Sequence, residues 1–265
     1  MNKLIVAAFA AGFPVMFAAC GGDKKVVEEN DNVTPVVELV GYKYDAVANL
    51  PDSLAVAVEG GRYARVSGQG MLPRKIGKND ITVLRDSLEK LGSVLIIDND
   101  NTEPRLSNGL VLVEIEPNDS VAGSTICNQL SVALMTPQVV VWKNYNYSYL
   151  CRAAHGSYNT TYVNYSIPKG KILSLSDIFK PGYEPELTTM LRNKLKDGNY
   201  DLITPLNEIG IPADFEITEN GVNFIYGLYE IAPYSAGEIT VEFDSYELND
   251  LFTQDLRPLL YGDMQ

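Results

Sequence analysis

Three features of the sequence predict an α+β chain with mainly antiparallel sheets, two longer helices and short helices near the C-terminus. Short apolar runs with alternating polar positions follow one another with Gly, Asn and Pro signals between them, the pattern of successive hairpins. Only two longer segments place apolar residues at spacings of three and four, the mark of a helix with one buried stripe. The third feature is negative, since no fixed-period repeat divides the chain.

The folded part is expected to start near Val40. Leu54, Val56 and Val58 alternate with small or polar residues, so Ser53 to Ser67 reads as two strands turned by Gly60-Gly61. Asn79-Asp80 offers a cap for a helix lined on one side by Ile81, Leu84, Leu88 and Leu91 and ended by Gly92. Strands follow at 94–98 and 110–115. Further on, Val139, Val141, Tyr145, Tyr147 and Tyr149 share one face of a strand, and Trp142, Asn144, Asn146 and Ser148 share the other. The tyrosine-rich face is expected to be buried, which leaves Trp142 on the wetter side. A partner strand at Tyr158 to Ile167 stops at Pro168-Lys169-Gly170. Glu184 to Lys196 reads as the second helix, with Pro185 in its first turn, Leu187, Met190, Leu191 and Leu195 on one side, and Gly198 past its end. Asn220-Gly221, between Phe215–Thr218 and Val222–Tyr229, is the strongest short hairpin signal. A strand at Ile239 to Phe243 then leads to short helices at Tyr246 to Phe252 and around Leu256.

The N-terminus has the layout of a lipoprotein signal. Lys3 precedes an apolar run from Leu4 to Met16, and Phe17-Ala18-Ala19-Cys20 closes it with small residues before a thiol. The run falls short of the roughly 20 residues a bilayer core takes, and it contains Gly12 and Pro14. The expected organisation is a signal peptide at 1–19, a lipid anchor on Cys20, a flexible tether over 20–39, an N-terminal α+β lobe over 40–124 and a C-terminal domain over 125–265. On that reading the protein is exported, membrane-anchored, and faces the periplasm or the cell exterior. Cys127 and Cys151 then remain as a candidate disulfide, or as two buried cysteines acting as small apolar residues. With 34 acidic against 21 basic residues, the formal charge is -13. Such a surface repels nucleic acid; it serves solubility, and it also steers basic partners.

Three segments carry a family resemblance. Ala153-Ala154-His155-Gly156 is followed by Leu173-Ser174-Leu175-Ser176-Asp177-Ile178-Phe179, and later by Tyr229-Glu230-Ile231-Ala232-Pro233-Tyr234-Ser235-Ala236-Gly237. In order and spacing, residues 125–252 resemble the C-terminal domain shared by RsiV anti-sigma factors and PdaC-type peptidoglycan deacetylases, a domain of unknown function also found in bacterial lipoproteins. The family often has Gly-Gly-Ala-His-Gly where this chain has Arg152-Ala153-Ala154-His155-Gly156. Only Met1, Asn2 and Lys3 precede the apolar run, so sigma-factor binding is not expected, and one histidine cannot supply a deacetylase metal site. What the resemblance implies is an extracytoplasmic binding or sensing module for a cell-wall-related ligand, either peptidoglycan glycan or a lysozyme-like protein.

The residues themselves favour binding over catalysis. A sole histidine excludes a zinc site with two or three imidazoles within one chain. No Gly-x-Ser-x-Gly elbow, phosphate loop or complete dinucleotide fingerprint occurs, and Gly68 and Gly70 lack the third glycine. Asp98 to Glu103 begins like a calcium loop, but Glu103 stands where the turn glycine belongs. No cofactor or metal is expected. His155 has two readings, a loop-fixing residue or a ligand contact. Sixteen tyrosines, many between Trp142 and Tyr165, either pack a sheet or form an aromatic floor. The candidate ligand-binding residues are His155, Trp142, Tyr145, Tyr158, Tyr229 and Tyr234. Two other classes stay open, a carboxylate-dependent wall-glycan hydrolase and a structural envelope scaffold.

Overall fold

The computed structural model describes residues 36–50, 52–55, 57, 59–91, 111–112 and 123–253. Its elements in chain order are β1 (Val37–Asn49), β2 (Tyr63–Ile76), α1 (Thr82–Leu91), β3 (Val111–Leu112), β4 (Ser124–Met135), β5 (Val139–Tyr149), β6 (Ser157–Ser166), β7 (Lys171–Ile172), α2 (Leu175–Ile178), α3 (Glu184–Asp197), β8 (Asp214–Ile217), β9 (Gly221–Tyr226) and β10 (Ile239–Asp244). Seven strands form one sheet in the order β3-β1-β2-β4-β5-β6-β7, and the last three form a second sheet in the order β10-β9-β8. Every pairing is antiparallel except β2 with β4. That parallel pair demands a crossover, in which α1 lies, and it runs one sheet through the boundary expected at residues 124 and 125.

One face of the large sheet packs on α1. Tyr42, Tyr44, Ala64, Val66, Leu72, Leu130, Val140, Trp142, Val163 and Tyr165 meet Leu84 and Leu88 in a single core. The α1 stripe predicted from spacing is the one buried, and Asp80 caps the helix by accepting the Thr82 N–H at 3.0 Å. Glycine makes room for the long tyrosines of β1, since a Cβ at Gly68 would stand 2.4 Å from the Tyr44 ring and one at Gly70 2.8 Å from Tyr42 Oη. The polar side chains on this face form a connected chain. Tyr42 Oη donates to Asn128 Oδ1 at 3.2 Å, and Asn128 Nδ2 to Asn144 Oδ1 at 2.7 Å and Asn146 Oδ1 at 2.6 Å. Asn144 and Asn146 in turn donate to the Leu91 carbonyl at 3.1 and 3.4 Å, answering an acceptor that the end of α1 leaves open.

On the opposite face the described elements pack only towards β5 and β6. There Val139 and Val141 join Leu187, Leu191 and Leu195 of α3 and Ile217, Phe224 and Phe243 of the small sheet in a second core. Asn164, 1% exposed, pins the two sheets together: its Nδ2 donates to the Phe215 carbonyl at 2.8 Å and its Oδ1 accepts the Ile217 N–H at 2.8 Å. Beyond β7 the outer margin of β6 pairs with no further strand among the described residues. Glu238 accepts the Thr160 N–H at 2.6 Å and its hydroxyl at 2.7 Å, and Asp214 accepts the Tyr162 N–H.

The second helix, the strand from Val139 and the last hairpin stand where the sequence places them, and several expectations are corrected. Ser53 and Leu54 lie in a turn, and β2 pairs with the long β1 instead; Val56 and Val58 lie outside the described residues. Val37 to Leu39, assigned to the tether, already belong to β1, whose Tyr42-Lys43-Tyr44-Asp45 alternation was an unused strand signal. Tyr246 to Leu251 make turns rather than a helix. The hairpin at Asn220-Gly221 exists, but its glycine serves a different purpose. Thr218 Oγ1 closes the turn by accepting the Asn220 and Gly221 N–H groups, while a Cβ on Gly221 would sit 2.0 Å from the Phe243 carbonyl of β10. The segments 1–35 with Cys20, 92–110 with the acidic loop, and 254–265 with Leu256 lie outside the described residues. Among the described residues no helix is long and apolar enough to cross a membrane.

Candidate functional site

Two of the three motif segments meet at one corner of the molecule. The first is the loop between β5 and β6, which carries His155; the second is the stretch from Tyr229 to Gly237 between β9 and β10. His155 Nδ1 lies 2.8 Å from the Gly156 carbonyl, which can only accept, so this nitrogen carries the proton. Nε2 is then free to accept from Tyr229 Oη at 3.1 Å. The imidazole stacks on the Tyr234 ring with centroids 3.9 Å apart. Tyr158 approaches Tyr234 edge-on at 6.5 Å, and Tyr145 lies 5.9 Å from Tyr158.

The backbone holds this cluster in uncommon conformations. Tyr229 has φ 62° and Arg152 φ 68°, left-handed values that bulky side chains rarely adopt. Gly156 and Gly237 admit close approach, because a Cβ would stand 2.5 Å from the Tyr147 ring and 2.9 Å from Tyr158 Oη respectively. Glu238 fixes the start of β10 against β6 through its two bonds to Thr160. Burial first, then Tyr158 and Glu238, push the Tyr145 hydroxyl up, so it remains a neutral donor at physiological pH.

The structure therefore gathers His155, Tyr145, Tyr158, Tyr229 and Tyr234, and separates Trp142 from them. Trp142 is 0% exposed on the opposite face, where its Nε1 donates to the Met71 carbonyl at 3.1 Å. The expectation of a wetter Trp142 fails because α1 covers that face as fully as the small sheet covers the other. Cys127 and Cys151 are separate thiols, both half-buried. The strand register explains it: Cys127 stands opposite Tyr147, whereas the Cys151 N–H bonds Ser124 Oγ, about 10 Å away along β4, beyond the roughly 7 Å that a disulfide spans. Glu238, close to the cluster, was not singled out by sequence, since nothing distinguishes it there from other acids, and Glu230 stood out only as part of the Tyr229 to Gly237 segment. No group of three or more metal-ligating side chains occurs among the described residues.

Two half-buried carboxyls, Asp214 and Glu216, alternate along β8 with the core residues Phe215 and Ile217. Burial raises Asp214 and Glu216, and each already has a structural partner, the Tyr162 N–H for Asp214 and Asn223 Nδ2 at 3.0 Å for Glu216. The same acids, after burial itself, push Tyr162 up.

Comparison with known proteins places part of the chain. Residues 176–245 match the family described as "Protein of unknown function (DUF3298)". A DUF3298 family member from Bacteroides fragilis is similar in structure, with a TM-score of 0.55 and 18% identity over 84% of this chain and 96% of that one. A DUF3298 family protein from Pseudomonas aeruginosa PAO1 gives a TM-score of 0.51 and 18% identity over 82% of this chain and 95% of that one. No curated protein matches. The matched span takes in α2, α3 and the whole second sheet, the layer that brings Tyr229 and Tyr234 to His155. Residues 176–245 thus match a family of unknown function, DUF3298, within a chain that shares the fold of solved proteins of that family.

Proposed function

We propose that the protein is a non-enzymatic, lipid-anchored envelope module that recognises a cell-wall-related ligand, peptidoglycan glycan or a lysozyme-like protein, at the His155 corner. One observation carries this reading: Tyr229 and Tyr234 contact the sole histidine, Tyr158 and Tyr145 extend the cluster from a distant chain segment, and Tyr229 is 54% exposed. Rings that present an apolar face and a hydroxyl suit a sugar ring or a partner loop. The sequence supports the location through the layout around Cys20. Among the described residues, Asp214 is engaged with the Tyr162 N–H of the large sheet and Glu216 with Asn223 of its own sheet, which leaves neither as a free acid or base for hydrolysis.

Titration with peptidoglycan fragments and with lysozyme tests the reading. Binding without turnover is expected, weakened about tenfold or more by Tyr234→Ala at unchanged melting temperature. Silence from both ligands would end it. For the anchor, a fatty-acid probe should label the wild-type chain and not Cys20→Ser.

A further inference from the structure

The part of the large sheet left open beside the aromatic corner is ordered by its register into rows that cross the strands. On the face shared with Tyr145, one row runs Lys43, Gln69, Gln129, Tyr145 and the next runs Asp45, Ser67, Cys127, Tyr147, Tyr158. Lys43, Asp45, Gln69 and Gln129 are exposed, and Ser67, Tyr145, Tyr147 and Tyr158 are half-buried. Tyr158 is common to the second row and the aromatic cluster, so the open face and the corner form one continuous surface.

Spacing and side-chain chemistry say what this surface suits. Crossing from strand to strand advances about 4.8 Å, close to the advance of one ring in a β-1,4-linked sugar chain, whereas same-face side chains along a strand are ~6.8 Å apart. One hydrogen-bonding side chain per step, amide after amide and then a phenol, is the chemistry that hydroxyl and acetamido groups require. Lys43, Arg65 and Lys143 stand on this face, with Asp45 in the second row and Asp214, Glu216 and Glu238 gathered at the Tyr162 end. Amides and phenols make up most of the rest of the two rows, which suits an uncharged, hydroxyl-bearing polymer.

Building on the glycan reading above, we propose that a β-1,4-linked glycan chain lies across β6, β5, β4 and β2, with the aromatic corner holding one end and Gln129 and Gln69 holding rings further along. Calorimetric titration of the full chain with β-1,4-linked N-acetylglucosamine oligomers of two and six rings tests it. The longer oligomer should bind about tenfold tighter, and the Gln69→Ala/Gln129→Ala double variant should remove that advantage while leaving the shorter oligomer unaffected. Both side chains are exposed, so folding is not at issue. Tyr234→Ala should weaken both oligomers alike. Equal binding of the two lengths, or an intact advantage in the double variant, overturns the extended platform and leaves the corner site standing. Binding of lysozyme with neither oligomer overturns the platform together with the glycan reading, and so does the absence of all binding. Peptide-free strands from peptidoglycan form a parallel arm: tighter binding of these or of the oligomers supports the platform and identifies wall glycan or chitin-type chains as the source.

Discussion

The two faces of the seven-stranded sheet are built to different rules. On the α1 face β1, β2, β4, β5 and β6 all contribute buried side chains; on the other face, full burial begins only at Val139 and Val141 of β5. The difference is written in the strands themselves. β1 alternates exposed Lys43 and Asp45 with buried Tyr42 and Tyr44, whereas Val139 to Trp142 is an unbroken apolar run at 0% exposure. Alternation marks a strand with one wet side, and a continuous run marks a strand enclosed on both. The candidate site lies where one regime gives way to the other, with Tyr145 and Tyr147 neither buried nor free.

Substitutions graded across this divide test the contrast. Trp142→Ala, in the enclosed region, should cost about 3–5 kcal/mol in urea unfolding. A smaller loss would mean that α1 seals its face less tightly than described. Asn164→Ala removes the pin between the sheets and leaves a buried carbonyl and a buried N–H unanswered, for about 2–3 kcal/mol. A cost below about 1 kcal/mol would show that the second core holds the layers without it.

A solvent-facing ion pair should matter far less. Lys171 Nζ bonds Asp177 Oδ1 at 2.7 Å, and against a burial effect that raises it, this contact and those of Ser174 hold the Asp177 carboxyl at about 2, below its ordinary 3.8. A depressed carboxyl contributes stability that is complete above the ordinary value and is lost as pH falls towards 2. Lys171→Met should therefore lower stability at neutral pH by less than about 1 kcal/mol and flatten the decline in that acid window. An unchanged acid limb would remove Lys171 as the cause. Gln129→Ala, on the open face, should stay within about 0.5 kcal/mol of wild type in the same urea titration. A larger effect would mean that this face is covered after all.

What sequence conveyed follows the same divide. The stripe of α1, the Leu187-Leu191-Leu195 side of α3 and the last hairpin were legible because each is a local periodicity answered by a single neighbouring layer. Trp142 was misplaced because alternation tells which residues share a face and not whether both faces are covered; that depends on α1, more than fifty residues away. The partner of β2 was misassigned because Gly60-Gly61 is a strong local turn signal, while the strand that pairs with it starts at Val37. In the site, resemblance supplied His155, Tyr229 and Tyr234, but their contact depends on the whole second sheet. Glu238 could not be found beforehand, because its role is to answer one backbone group 78 residues away.

The margin of β6 has a bearing on how copies of this chain coexist. Unanswered amides along a sheet's flank invite a second molecule to add its own strand and start cross-β growth. Here Glu238 and Asp214 occupy two of those amides, so the flank is both satisfied and negatively charged towards any approaching twin. The guard against strand addition thus sits in two carboxylates of a neighbouring layer and not in the side chains of the flank itself.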